Sequence, residues 1–169
     1  MESRVSRPDN RLKLQSAKGK TMELLAFIKD TAMELRPSTL DTLGLAASVR
    51  NLINNLPTAF REKIHFHMGD LPHRLGQDIE IAIYRIIQES LNNALKYAHA
   101  ESIYVNLSRK GKQNALLLSI EDDGRGFDYA HEPPATPEAG HLGITIMRER
   151  AVLLGGTFHV ESRPGKGTV

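Results

Sequence analysis

Asp122-Asp123-Gly124-Arg125-Gly126-Phe127 follows directly on the alternating run Leu116, Leu118, Ile120. In a strand the side chains change face at every residue, so Asp122 shares a face with those three apolar residues. A carboxylate delivered to the core side of a sheet is costly unless it has a partner. Gly124 and Gly126 let the backbone turn sharply and come close to a ligand. Together these features suggest the floor of a pocket where one buried acid accepts hydrogen bonds from a neutral donor, such as the amine of adenine. An ordinary surface turn is the competing reading, since Asp-Gly pairs are common there.

A second segment bears on that choice. Residues 78–98 read as a long amphipathic helix, with Ile79, Ala82, Ile83, Ile86, Ile87, Ser90 and Ala94 recurring at helical spacing. Glu89, Asn93 and Lys96 lie along one line of it, at i, i+4 and i+7. An acid, an amide and a cation in one row can make a Mg²⁺-phosphate surface: Mg²⁺ takes oxygen ligands, and a lysine offsets phosphate charge. The alternative is a solvated polar face with an incidental ion pair.

Composition fits one soluble domain with a short extension. The chain has 169 residues, 40% of them hydrophobic, enough for a sizeable core. Its formal charge of +2, from 22 basic and 20 acidic residues, is too balanced to imply a nucleic-acid partner. The absence of cysteine excludes a disulfide framework, a thiolate metal site and a cysteine nucleophile, and suits a reducing cytosol. No apolar run approaches the roughly 18 residues of a membrane span, and the first residues do not read as a signal peptide. Membrane contact by this segment is not expected.

Periodicity sets the order of elements. Residues 1–11 are polar and contain proline. Residues 14–35 carry a three- and four-residue stripe of a helix that packs on another, through Leu14, Ala17, Thr21, Leu24, Ile28, Ala32 and Leu35. Pro37 ends it. Asp41 or Thr42 is expected to cap a second helix running to about Leu56, closed by Pro57. Strands are expected at 63–68, 102–109, 115–122 and 157–162. Gly155-Gly156 separates the last of these from a preceding helix, and the aperiodic stretch 129–140 reads as a loop that could close over a ligand. His65 and His67 alternate on a strand, but two histidines without a third ligand read as solvent-facing. A calcium loop is rejected because Pro133 and Pro134 stand where its closing Glu would be needed. Gly165-Lys166-Gly167-Thr168 fails the Walker spacing.

Four of these stretches together resemble a known family. Glu89-Ser90-Leu91-Asn92-Asn93-Ala94-Leu95-Lys96-Tyr97 is similar to the asparagine box of sensor histidine kinases, and the run 122–127 to their first glycine box. Leu142-Gly143-Ile144-Thr145-Ile146-Met147-Arg148-Glu149-Arg150-Ala151, ending in Leu154-Gly155-Gly156, resembles the second, and Gly165-Lys166-Gly167-Thr168 the closing Gly-x-Gly-Thr. Leu35-Arg36-Pro37 with Leu40-Asp41-Thr42-Leu43-Gly44-Leu45 is similar to the junction in the subfamily of nitrate/nitrite sensor kinases.

The resemblance implies an α+β fold: a two-layer α/β sandwich with a mixed, mostly antiparallel sheet and helices on one face. This is the Bergerat fold shared by gyrase, heat-shock chaperones, histidine kinases and MutL. Residues 1–37 would then hold a polar N-terminus and the second dimerisation helix, and 38–169 the ATPase domain, its last strand cut short at Thr168-Val169. The implied cofactors are ATP and Mg²⁺. Asp122 would accept the adenine amine, supported by Thr168 through water. Asn93 would ligate Mg²⁺, Lys96 contact phosphate and Tyr97 flank the base. Glu89 occupies the place of a general base in related ATPases. Gly124, Gly126, Gly143 and the adjoining Ile144 would allow close approach of the nucleotide, and Arg148 is a further candidate phosphate contact. Asp123 stands where many relatives carry Asn, placing an extra carboxylate near the base.

The implied activity is transfer of the γ-phosphoryl group to a histidine on a dimerisation helix, then relay to a response regulator. The full-length kinase would be a homodimer, with this segment on the cytoplasmic side of a sensor that can be membrane-anchored. The helix 14–35 has no histidine, so the acceptor helix is expected to be missing from this chain. An ATP-driven clamp and a passive nucleotide-binding module are the alternatives on the same fold.

Overall fold

The structure, a computed structural model, describes residues 37–72, 74–111, 115–129 and 142–169. The expected helix 14–35 and all of the expected loop 129–140 except Tyr129 lie outside the described residues. Those described belong almost wholly to one compact unit, Ser38–Val169.

Its elements, in chain order, are α1 (Ser38–Asn54), the single turn α2 (Thr58–Arg61), β1 (Ile64–Met68) and α3 (Gln77–Asn93). A π-helical turn (Ala94–Ala98), β2 (Ile103–Lys110), β3 (Ala115–Asp122) and α4 (Leu142–Leu153) complete it. The sheet has the order β1-β2-β3, with β1 parallel and β3 antiparallel to β2. The mixed sheet and its helices match the expected class.

Register explains the core. Ile64, Ile103 and Asp122 form one cross-strand row, Phe66, Val105 and Ile120 the next, and Met68, Leu107 and Leu118 a third. That face packs on Leu40, Leu45, Val49 and Ile53 of α1 and on Ile83, Ile87 and Leu91 of α3. Burying each such side chain fully contributes about 1.5–3 kcal/mol. The opposite face carries His65, Tyr104 and Glu121 in one row, and all three are exposed. His65 stacks on Tyr104 with ring centroids 4.8 Å apart, so it is an outer-face residue as its alternation predicts.

The helix 78–98 forms within a residue of expectation, but its last turn widens. Asp78 and Glu80 in its first turn complement the helix dipole. Glu80 is fully buried; its Oε1 accepts from Arg74 Nε and the Leu75 amide, both at 3.0 Å. Residues 94–98 are π-helical, and His99 ends them in the left-handed region at φ 54°.

Two expectations are corrected. The helix after Pro37 begins at Ser38, not at a cap on Asp41 or Thr42, and it breaks at Gly44 (φ 77°, ψ 179°). Only glycine takes that conformation without cost, so the kink hides inside an otherwise helical sequence. The strand expected at 157–162 does not form over that length. Glu161 and Val169 exchange two backbone bonds of 2.8 Å and Ser162 bridges Thr168, but 157–160 have no ladder partner among the described residues. β-like residues make a strand only where another strand pairs with them.

Candidate functional site

Asp122 ends the buried face of β3, in line with Ile103 and Ile64. Asp122 and Thr168 exchange backbone bonds of 2.9 and 3.1 Å. The Asp122 carboxylate accepts from the Gly124 amide at 2.9 Å and from the Thr168 side chain. Burial pushes the carboxyl above the usual carboxylate range. The bonds from Gly124 and Thr168 pull it back in part, and the charge of Asp123 adds to the rise. Thr168 is thus one of the groups that hold the acid.

Asp123 faces the other way. Its carboxylate is exposed and accepts from the amides of Glu101 (2.7 Å) and Ser102 (2.9 Å). The Ser102 amide holds it below the ordinary range and outweighs burial, which raises it, and the Glu101 amide and the Lys63 charge add smaller lowering effects. The extra carboxylate thus fastens the start of β2.

The glycines serve chain-on-chain contact. A Cβ on Gly124 would lie 2.4 Å from the Ala98 carbonyl oxygen, one on Gly126 2.1 Å from that of Arg163, and one on Gly167 1.9 Å from that of Asp122. Gly126 and Gly167 also hold φ of 58° and 74°. Three backbone segments can therefore interlock: Arg125 donates to Ala98 O (2.7 Å), and Gly165 donates to Arg125 O (2.6 Å). The π-turn leaves Ala98 O free of an intrahelical partner, as carbonyls at a helix end are, and Arg125 satisfies it.

Ser162, which sequence reasoning missed, sits at the centre of this weave. Its Oγ accepts from the Phe127 amide (3.0 Å), donates to Gly167 O (3.0 Å), and lies 3.0 Å from Thr168 Oγ1. Its only sequence signal is a serine two residues before the turn-forming Pro164-Gly165.

The acid-amide-cation row lies on α3 and its continuation. Glu89 and Asn93 are half-buried, while Lys96 and Tyr97 project from the π-turn and are exposed. The wider turn rotates Lys96 off the straight line that regular helical spacing predicts. Glu89 packs on Gly143, the second residue of α4: a Cβ there would lie 2.2 Å from Glu89 Oε1. One step along, Ser90 Oγ donates to Met147 Sδ at 3.3 Å. Ile144 is half-buried beside this contact. Arg148 hydrogen-bonds the Tyr129 hydroxyl and lies 6.0 Å from the Phe158 ring centroid, so its described contacts are aromatic.

Two clusters result. Asp122, Gly124, Gly126 and Thr168 form one, and Glu89 with Gly143 the other, with Ala98 joining the end of the α3 continuation to the first. Among the described residues, no hydrogen bond or ion pair ties Asn93 or Lys96 to either. Nor is any helix there long and apolar enough to cross a membrane.

Comparison with known proteins points one way. Residues 78–169 match the family described as histidine kinase-, DNA gyrase B-, and HSP90-like ATPase. The oxygen sensor histidine kinase NreB of Staphylococcus carnosus (strain TM300) is 34% identical over 146 residues, 86% of this chain. The chain spans only 40% of that relative's length. Among solved structures, the histidine kinase domain of a blue-light activated kinase from Erythrobacter litoralis aligns with a TM-score of 0.53 at 26% identity. That alignment covers 73% of this chain and 56% of the other. The Acinetobacter baumannii histidine kinase AdeS shares the fold, with a TM-score of 0.55 at 16% identity over 92% of this chain and 80% of its own.

Proposed function

The chain belongs to the histidine kinase-, DNA gyrase B- and HSP90-like ATPase family, and we propose that it is the ATP-binding catalytic part of a sensor histidine kinase. The observation that carries this reading is the Asp122 carboxylate. It is half-buried at the end of an apolar face and fixed by Gly124 and Thr168, an acceptor suited to an adenine amine.

The roles follow from position. Asp122 reads the base and Thr168 orients the acid. Tyr97, exposed on the π-turn, flanks the ring. Lys96 offsets phosphate charge, and amides at the start of α4, around Gly143 and Ile144, face the phosphates. Asn93 suits Mg²⁺, since its amide oxygen is the hard donor that ion prefers and no described residue occupies it. When bound, Mg²⁺ neutralises charge on the transferred phosphoryl group. Glu89 polarises the acceptor. Phosphoryl transfer asks little covalent chemistry of the protein, so positioning supplies most of the rate.

The acceptor is a histidine on a dimerisation helix outside this chain, in a homodimeric kinase that passes the group to a response regulator on the cytoplasmic side. The test is incubation with γ-labelled ATP, alone and with a separate fragment carrying that helix. Acid-labile label is expected on the added fragment and none on this chain. Transfer in trans is expected to be slow, because the acceptor's effective concentration is lost. Free phosphate without labelled protein would instead support a clamp ATPase, and label on this chain alone would overturn the placement of the acceptor.

A further inference from the structure

We infer that Gly143 is a positioning residue for Glu89, its missing side chain being the space the Glu89 carboxylate occupies; this rests on the phosphoryl-transfer reading above. A Cβ on Gly143 would stand 2.2 Å from Glu89 Oε1, 3.0 Å from its Cδ and 3.3 Å from its Cγ. The whole outer half of the Glu89 side chain lies over the glycine. Among the described residues no hydrogen bond holds this carboxylate, so contact with the first turn of α4 sets where it points.

The two helices cannot simply part to make room. One step along, Ser90 Oγ bonds Met147 Sδ at 3.3 Å, and Met147 is 5% exposed. An added methyl must be answered by the flexible tip of Glu89, which has to retreat by more than about 1 Å, a misplacement that can cost about 10²-fold in rate. Stability moves the other way. Gly143 has ordinary helical geometry, and alanine is the better helix former. Gly143→Ala is therefore a substitution that keeps the fold and displaces the Glu89 carboxylate.

Glu89→Asp separates this role from a structural one. The shorter side chain no longer reaches the new methyl. In the unaltered background Glu89→Asp lowers transfer to the acceptor fragment, because the carboxylate withdraws from its place. In the Gly143→Ala background, where transfer has dropped about 10²-fold, Glu89→Asp raises it. That reversal of sign is the signature of two residues competing for one space.

The measurements are transfer rate and melting temperature for the four proteins, with the Gly143 amide resonance recorded without nucleotide. Expected are an unchanged or higher melting temperature for Gly143→Ala, the sign reversal, and displacement of the Gly143 resonance by Glu89→Asp. A further fall in rate on adding Glu89→Asp to Gly143→Ala would overturn the inference, as would an unmoved resonance. If the unaltered chain transfers no phosphate, the kinase reading fails while the resonance still decides the contact.

Discussion

Asp122 and Thr168 are bound to each other twice through the backbone, at 2.9 and 3.1 Å, and a third time through their side chains. The acid that ends β3 is thereby fixed by the last turn of the described chain. Ser162 and Gly167 complete the arrangement, one by hydrogen bonds and the other by having no side chain.

The two adjacent acids respond to pH in opposite senses. Asp122 is held above its ordinary value of 3.8, so its charge costs stability above the raised value, and the cost is relieved as pH falls toward 3.8. Asp123 is held below 3.8, so its contribution is complete above 3.8 and disappears as pH falls through the lowered value. Asp122→Asn is expected to keep or raise the melting temperature at neutral pH, and Asp123→Ala to lower it. In a pH series of melting curves, the Asp123→Ala deficit narrows below 3.8. A deficit that widened there would contradict the assignment.

Gly165 and Gly167 make a matched pair. Both hold left-handed φ, 75° and 74°, but a Cβ on Gly165 meets nothing within 4 Å while one on Gly167 meets Asp122 O at 1.9 Å. Gly165→Ala is expected to cost only the conformational penalty, about 1–2 kcal/mol. Gly167→Ala adds an overpacking cost of roughly 1–3 kcal/mol and pulls Asp122 out of place. Chemical denaturation gives both numbers. Equal costs would mean that Gly167 does not hold the bridge.

These glycines show where sequence reasoning reached its limit. The alternation through Leu116, Leu118 and Ile120 placed Asp122 on the inner face, and the structure puts it there, because a two-residue period is a local property of the chain. That Gly126 and Gly167 make room for the carbonyls of Arg163 and Asp122 is tertiary, and no spacing shows it. The same divide separates α3, foreseen from its apolar stripe, from the widened turn at 94–98. It also explains the mistaken strand at 157–162, whose Phe158 and Val160 have β character but no ladder partner among the described residues.

Asn93 can be separated from base recognition. Asn93→Ala removes the proposed Mg²⁺ oxygen and leaves Asp122 and its partners intact. Turnover of Mg-ATP is expected to fall much more than the affinity for metal-free ADP, the first measured by phosphoryl transfer and the second by calorimetry. Equal losses would make Asn93 structural.

The most direct test of the account is base selectivity, measured by calorimetric titration with ATP and with GTP under identical conditions. Asp122 accepts from an amine, and guanine presents a carbonyl oxygen at that position, setting two acceptors face to face. An unpaired buried polar group costs roughly 1–3 kcal/mol, so ATP is expected to bind about 5–150-fold more tightly. Asp122→Ala is expected to abolish ATP binding while the protein stays folded. Equal affinity for ATP and GTP in the unaltered chain would contradict the assignment of Asp122 to adenine, and with it the central claim.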